Sequence, residues 1–190
     1  MDRDRVNTFE NLLLSTKREG IDGLLEFIRK SDFYTAPAST RFHLSREGGL
    51  LEHSLNVYDC LRKKAETEQW KDILPGSDSI IIASLLHDLC KTYYYGVEMR
   101  NKKIDGSWQS VPTYVVDNKI PYGHGEKSVM MIEEYTKLKP VERYAIRWHM
   151  GFSEPKELYN DIGKAFEKYP LAIALHEADL EATYIYEKEQ

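Results

Sequence analysis

The sequence predicts an all-α fold: a bundle of helices interrupted by one small β-hairpin at about residues 93–122. Apolar residues recur at three-to-four spacing through most of the 190 residues, which is typical of amphipathic helices. β-Branched and aromatic residues concentrate instead around the Asp105-Gly106 turn signal. The chain is 42% hydrophobic and long enough to bury a core without disulfides. We therefore expect one domain over 1–190, with a helical N-terminal extension at 1–40.

Each predicted helix has an apolar face. Phe9 and Leu13 lie on that face of the first helix, and Leu24 and Ile28 on that of the second. The stretch IIIASLL makes one helix apolar on nearly all sides, which predicts a central position. The predicted helices are 4–18, 20–30, 50–68, 79–91, 124–138, 140–150, 155–168 and 170–188.

Charge and composition exclude several kinds of partner. A net charge of -5 argues against a broad basic face that grips duplex DNA. The longest apolar stretch is far shorter than the roughly 20 residues of a membrane span. The opening residues lack the apolar core of a signal peptide, and two cysteines set no disulfide framework. We therefore expect a cytoplasmic protein. The acidic net charge does not exclude a small phosphorylated substrate, because a metal can supply positive charge locally.

Histidine and aspartate side chains lie at positions that can converge. His87 and Asp88 are adjacent near the end of the central helix, so both can reach one metal, and the Asp88 carboxylate can bridge two. Lys91 projects over the same face, where its ammonium suits an anionic substrate oxygen. Other candidate ligands stand on separate predicted helices: His53, His124, His149 and Asp179. Bundled helices can direct such side chains inward to build a metal centre.

Five segments, taken in order, resemble the signature of the HD-domain metal-dependent phosphohydrolase superfamily. They are GGLLEHSL (48–55), LLHDLCK (85–91), YGHGEKS (122–128), RWHMG (147–151) and EADLEA (177–182). The first segment is similar to the catalytic module of certain bacterial 3′–5′ exoribonucleases. Two residues depart from the pattern: Cys90 stands where the family often has glycine, and Met150 where some binuclear members have another histidine.

The resemblance implies a ligand set and a cofactor. The cofactor would be one or two divalent transition metal ions, because imidazole with carboxylate suits Mn, Fe, Co, Ni or Zn. The second ion would share Asp88 as a bridge with the first. The implied ligands are His53, His87, Asp88 and Asp179 for the first ion, and His124 and His149 for the second.

We expect hydrolysis of a phosphomonoester or phosphodiester in a nucleotide or short oligonucleotide by metal-activated water. Asp88 and Lys91 are the predicted catalytic residues. The predicted substrate-binding residues are Lys91, His43, Arg46, Tyr122 and His176. Aromatic side chains of the hairpin region either pack it against the helices or stack on a nucleobase.

Two other functions remain open at this stage. Some HD-fold proteins resemble the same ligand order and use two irons with oxygen to cleave carbon bonds. A non-catalytic module that binds a nucleotide is the other alternative. In such a module other residues would normally replace some metal ligands, whereas all six matching positions are kept here. Oxygen consumption without phosphate release would favour the first, and binding without hydrolysis would favour the second.

Overall fold

The computed structural model describes residues 2–188, which form eight α-helices and one two-stranded antiparallel sheet. The predicted helical fold with a small hairpin is confirmed. The helices are α1 (Arg3–Ser15), α2 (Ile21–Lys30), α3 (Gly49–Ala65), α4 (Ser77–Leu86), α5 (His124–Glu133), α6 (Pro140–Trp148), α7 (Tyr159–Lys168) and α8 (Pro170–Glu181). The strands are β1 (Tyr95–Ile104) and β2 (Ser107–Val116).

Helix α4 lies at the centre of the bundle. Its residues from Ser79 to Leu86 are all buried, and it packs against α1, α3, α6 and α8. Ser84 sits in this apolar setting because its hydroxyl donates to the Ile80 carbonyl. The N-terminal extension joins the same core through Phe9 and Leu13 of α1, which are fully buried. The central position of α4 holds its C-terminal end inside the bundle.

Several helix ends differ from the predicted ones. The helix predicted at 79–91 was wrong beyond Leu86, because Asp88 (φ −103°, ψ 18°) leaves the helical region and a 3₁₀ turn follows at Leu89–Lys91. Helix α1 ends before Lys17, whose φ is +51°. The predicted C-terminal helix becomes a π-helix at Ala182–Tyr186. Helices predicted to 68 and 138 end at 65 and 133, and α7 begins at 159 after a 3₁₀ turn.

The hairpin projects from the bundle. Asp105 and Gly106 form its turn with positive φ angles of 49° and 83°, as the turn signal predicted. Val97 pairs with Tyr114 on one face, and Trp108 near the tip is 73% exposed. Trp108 therefore does not pack the hairpin against the helices. No helix within residues 2–188 is long and apolar enough to cross a membrane.

Candidate metal centre

Asp88 occupies the break between α4 and the following 3₁₀ turn. The break turns its carboxylate into the bundle, where it is buried. The preceding residue, His87, caps α4 and donates from Nδ1 to the Ser84 carbonyl at 2.7 Å. That hydrogen bond leaves His87 Nε2 3.4 Å from Asp88 Oδ2. The end of α4 thus places two candidate ligands, His87 and Asp88, side by side at the centre of the fold.

The two oxygens of Asp88 face different sets of imidazoles. Oδ1 lies 2.8 Å from His124 Nε2 and 3.7 Å from His149 Nε2. Oδ2 lies 3.4 Å from His87 Nε2 and 3.6 Å from His53 Nε2. The division coincides with the two ligand sets that the resemblance implied.

Asp179 completes the first set. It lies on α8, and its Oδ1 is 3.2 Å from His53 Nε2. One ligand atom each from His53, His87 and Asp179 lies within 4.8 Å of the others. The structure therefore gathers the five other predicted ligands into one cluster with Asp88, although they lie within α3, α5 and α8 or directly after α4 and α6.

Unpartnered nitrogens show that a cation fits here. Nδ1 of His87 donates to the Ser84 carbonyl and Nδ1 of His149 to the Ile146 carbonyl, both at 2.7 Å, so in each neutral ring Nε2 is the acceptor. Both Nε2 atoms are buried and have no hydrogen-bond partner among residues 2–188. An unsatisfied buried acceptor is costly, and a divalent metal would satisfy both. Nitrogen and carboxylate donors suit Mn, Fe, Co, Ni or Zn.

The ionisable side chains of the centre shift one another's pKa values. Burial opposes charge on His53, but the Asp179 and Glu187 carboxylates raise its pKa to about 9. Burial likewise opposes charge on His124, whereas Cys90 and Asp88 raise its pKa to about 9. These imidazoles hold protons at neutral pH without a metal, and a bound metal displaces them.

The carboxylates respond in the opposite direction. Burial would raise the pKa of Asp88, but Lys91 and the facing imidazoles hold it well below its ordinary value. Burial would also raise the pKa of Asp179, which the hydrogen bond from His53 lowers instead. Both aspartates are therefore anionic at neutral pH, as metal ligands must be.

A cleft of about 170 Å³ opens over the centre. Three of the predicted substrate-binding residues line it: His43, Lys91 and His176. Arg46 and Tyr122 do not. Arg46 pairs with Glu52 and lines a different depression, and Tyr122 lines another beside α5. Both residues were predicted near the pocket because they lie close in sequence to candidate ligands. The segments that carry them place their side chains in other depressions of the surface.

Glu187 was missed in the sequence analysis. Its two carboxylate oxygens lie 3.1 Å from His53 Nδ1, and one accepts a hydrogen bond from Asn56 Nδ2 at 2.9 Å. A carboxylate on the far nitrogen of a ligating imidazole fixes its tautomer and orientation. In the sequence, Glu187 belongs to a charged stretch that is typical of solvated chain. The π-helix before it carries no recognisable signal, yet it brings Glu187 into the core.

Cys90 also contacts a predicted ligand. It is buried, and its Sγ lies 3.3 Å from His124 Nδ1, so Cys90 could serve as a hydrogen-bond partner for that ring or as a further donor. The sequence analysis had marked this residue only as a departure from the usual glycine. The thiol fills space that glycine would leave open beside the ring.

Comparison with known proteins agrees with this geometry. The HD domain family matches residues 50–185, most of the chain, so this protein belongs to the HD domain family. A dihydroneopterin 2′,3′-cyclic phosphate phosphodiesterase of Methanocaldococcus jannaschii is 34% identical over 84 residues, 44% of this chain and 32% of the relative. The aligned part thus spans about a third of that relative. No solved structure matches significantly.

Proposed function

We propose that this chain hydrolyses a phosphomonoester or phosphodiester in a nucleotide or short oligonucleotide, with Asp88 and Lys91 as catalytic residues. The observation that carries the proposal is the pair of unpartnered Nε2 atoms, on His87 and His149, which face one buried carboxylate. The relative is named for a cyclic phosphodiester, which favours the phosphodiester arm of the proposal.

Asp88 would hold the centre together. Each of its oxygens faces one set of imidazoles, which suits a carboxylate shared between two cations. Its low pKa keeps it anionic through the neutral range. A divalent metal bound there supplies a Lewis acid for phosphoryl oxygens and lowers the pKa of water toward neutrality.

Lys91 would hold the substrate phosphate. Its ammonium has three protons, of which Asp88 Oδ2 at 2.7 Å and the Ala38 carbonyl at 2.8 Å accept two. The third is left for a phosphate oxygen in the cleft. Burial opposes the charge, but the Asp88 carboxylate raises the pKa of Lys91 above its usual value, so the ammonium stays charged.

Two histidines on the cleft wall would contact the rest of the substrate. Both ring nitrogens of His43 are buried and without a partner in the described chain, so they are available to a substrate oxygen. His176 donates from Nδ1 to the His149 carbonyl at 2.7 Å, which fixes its ring at the wall. No residue from Tyr95 to Val116 lines the cleft, so the hairpin does not narrow its opening.

Metal analysis of the purified chain, followed by a substrate panel, tests the proposal. The panel contains a nucleoside monophosphate, a 2′,3′-cyclic nucleotide and a dinucleotide, assayed with Mn²⁺ under anaerobic conditions. Asp88→Asn should lose bound metal and at least about a hundredfold in turnover. Asp161→Asn, an exposed carboxylate on α7, is the matched control and should keep both. Ester cleavage by a metal-free Asp88→Asn chain, or oxygen consumption without any ester cleavage, would refute the proposal.

A further inference from the structure

A second cavity lies between α2, α5 and the chain on either side of the hairpin. It has a volume of about 310 Å³ and has no lining residue, among those described, in common with the metal cleft. We call it the Thr92 cavity. Phe27 and Tyr135 form an aromatic wall, with ring centroids 5.5 Å apart and planes inclined by 25°. The volume is at the lower end of the range for small-molecule sites.

Two polar groups of this cavity lack partners. The Thr92 hydroxyl is buried and has no hydrogen-bond partner within the described part of the chain. Lys127 is only 5% exposed, yet its ammonium makes no hydrogen bond or ion pair with residues 2–188. Its contact is the face of the Tyr94 ring, 5.5 Å from the ring centroid. Leaving a buried hydroxyl without a partner is costly, and the ammonium that lines the cavity attracts negative charge, so an anionic ligand would suit both groups.

The rim of the cavity is partly apolar and partly charged, with the exposed Lys119 and Glu134 also lining it, and its backbone is strained at one residue. Ile120 and Met130 are 52% and 37% exposed there. Tyr93, also at the rim, has a φ of +53°, a backbone conformation that non-glycine residues rarely adopt. Asp32 Oδ1 accepts the Tyr93 N–H at 2.8 Å, and the Tyr93 hydroxyl donates to the Lys30 carbonyl at 3.2 Å. Strain that surrounding contacts maintain is concentrated at ligand sites.

We propose that the Thr92 cavity binds a planar aromatic acid: one or two fused rings with a single anionic group. The rings would lie against Phe27 and Tyr135, and the anionic group would reach the Lys127 ammonium and the Thr92 hydroxyl. A ligand of this class meets every unsatisfied feature of the cavity at once, whereas a neutral apolar ligand would leave the ammonium unpaired. The inference is independent of the proposed hydrolysis.

Titration of the full chain with naphthalene-2-sulfonate, a fluorescent planar sulfonate of two fused rings, tests this site. We expect one saturable site per chain. Lys127→Met keeps an unbranched side chain only one atom shorter and removes its charge. The affinity should weaken about tenfold or more, because a charge-assisted hydrogen bond is lost. Neutral 2-methylnaphthalene, which lacks the anionic group, should bind both chains alike.

Lys168→Met is the matched control. Lys168 also lies 5.5 Å from a tyrosine ring centroid, that of Tyr169, but it is exposed and outside the cavity. This variant should bind the sulfonate as the unaltered chain does. If Lys127→Met does not fold, Met130→Glu puts a negative charge at the exposed rim and should weaken binding by repulsion. Unchanged affinity in Lys127→Met or in a folded Met130→Glu, an equal loss in Lys168→Met, or the lack of a saturable site would overturn the proposal.

Discussion

Replacing Glu187 by glutamine tests whether the C-terminal turn orients a ligand of the metal centre. The substitution keeps the size of the side chain and removes its charge. One acceptor oxygen then remains, for which the Asn56 amide and the His53 N–H compete, whereas Glu187 serves both. Glutamine can also present its NH₂ group to His53 Nδ1, which would force the proton onto Nε2, the nitrogen that must bind the metal.

The expected loss is about 10- to 100-fold in metal affinity, the range for removing a partner of a ligating imidazole. That corresponds to about 1.4 to 2.7 kcal/mol. Both carboxylate oxygens are 3.1 Å from Nδ1 and the pair is buried, so little of the effect is screened by solvent. Turnover at saturating metal should fall much less, because Glu187 does not line the substrate cleft.

Competition with a chromophoric chelator measures the affinity of the metal-free chain for Mn²⁺ and Zn²⁺. Glu181→Gln is the control, since it removes the same charge at the end of α8 from a residue that pairs with Lys64 at 2.8 Å. The reasoning is refuted by unaltered affinity in a folded Glu187→Gln chain, or by an equal loss in Glu181→Gln.

Three further changes test the packing and charge around the centre. A methyl group at Gly125 would lie 2.2 Å from the Arg147 carbonyl oxygen, so Gly125→Ala should push α5 away from α6. This should lower the free energy of unfolding in urea by about 1–3 kcal/mol and weaken metal binding. As the control, Gly163→Ala, whose added methyl group meets nothing within 4 Å, should leave stability unchanged or raise it. Glu142→Ala leaves the Arg18 guanidinium without its buried partner and should cost about 3 kcal/mol, whereas an unchanged urea midpoint would contradict this. His53 and His124, whose pKa values are raised to about 9, should stabilise the metal-free chain below about pH 6.5, and this stabilisation should be lost as the pH rises to 9. Urea unfolding with chelator present measures it, and equal free energies of unfolding at pH 6.5 and pH 9 would contradict the expectation.

The residues that converge on Asp88 could be selected from the sequence because residue type and order carry most of the information. His87 and Asp88 adjoin at the end of an apolar helix, and the other candidates follow in a recognisable order on separate helices. Helical periodicity shows which face of a helix points inward. It does not show where along its neighbour that face lies, so the distances of 2.8 to 3.7 Å around Asp88 could not be predicted.

Other residues of the site could not be assigned in this way. Arg46 is close in sequence to a ligand helix, but an ion pair with Glu52 holds it outside the cleft. Glu187 lies 134 residues from His53 in a stretch that resembles solvated surface. Only the π-helix, which adds a residue to each turn, places its carboxylate behind the imidazole.

By itself, the sequence determined the helical class, the position of the hairpin turn, the apolar helix at the centre and the residue types available as ligands. These depend on local periodicity and side-chain chemistry, which are properties of short segments. The tertiary structure alone decided which oxygen of Asp88 faces which imidazole, and which buried groups of the described chain, such as the Thr92 hydroxyl, lack a partner. Such features arise from packing between distant segments, where a broken helix or one extra residue in a turn moves a side chain by several ångströms.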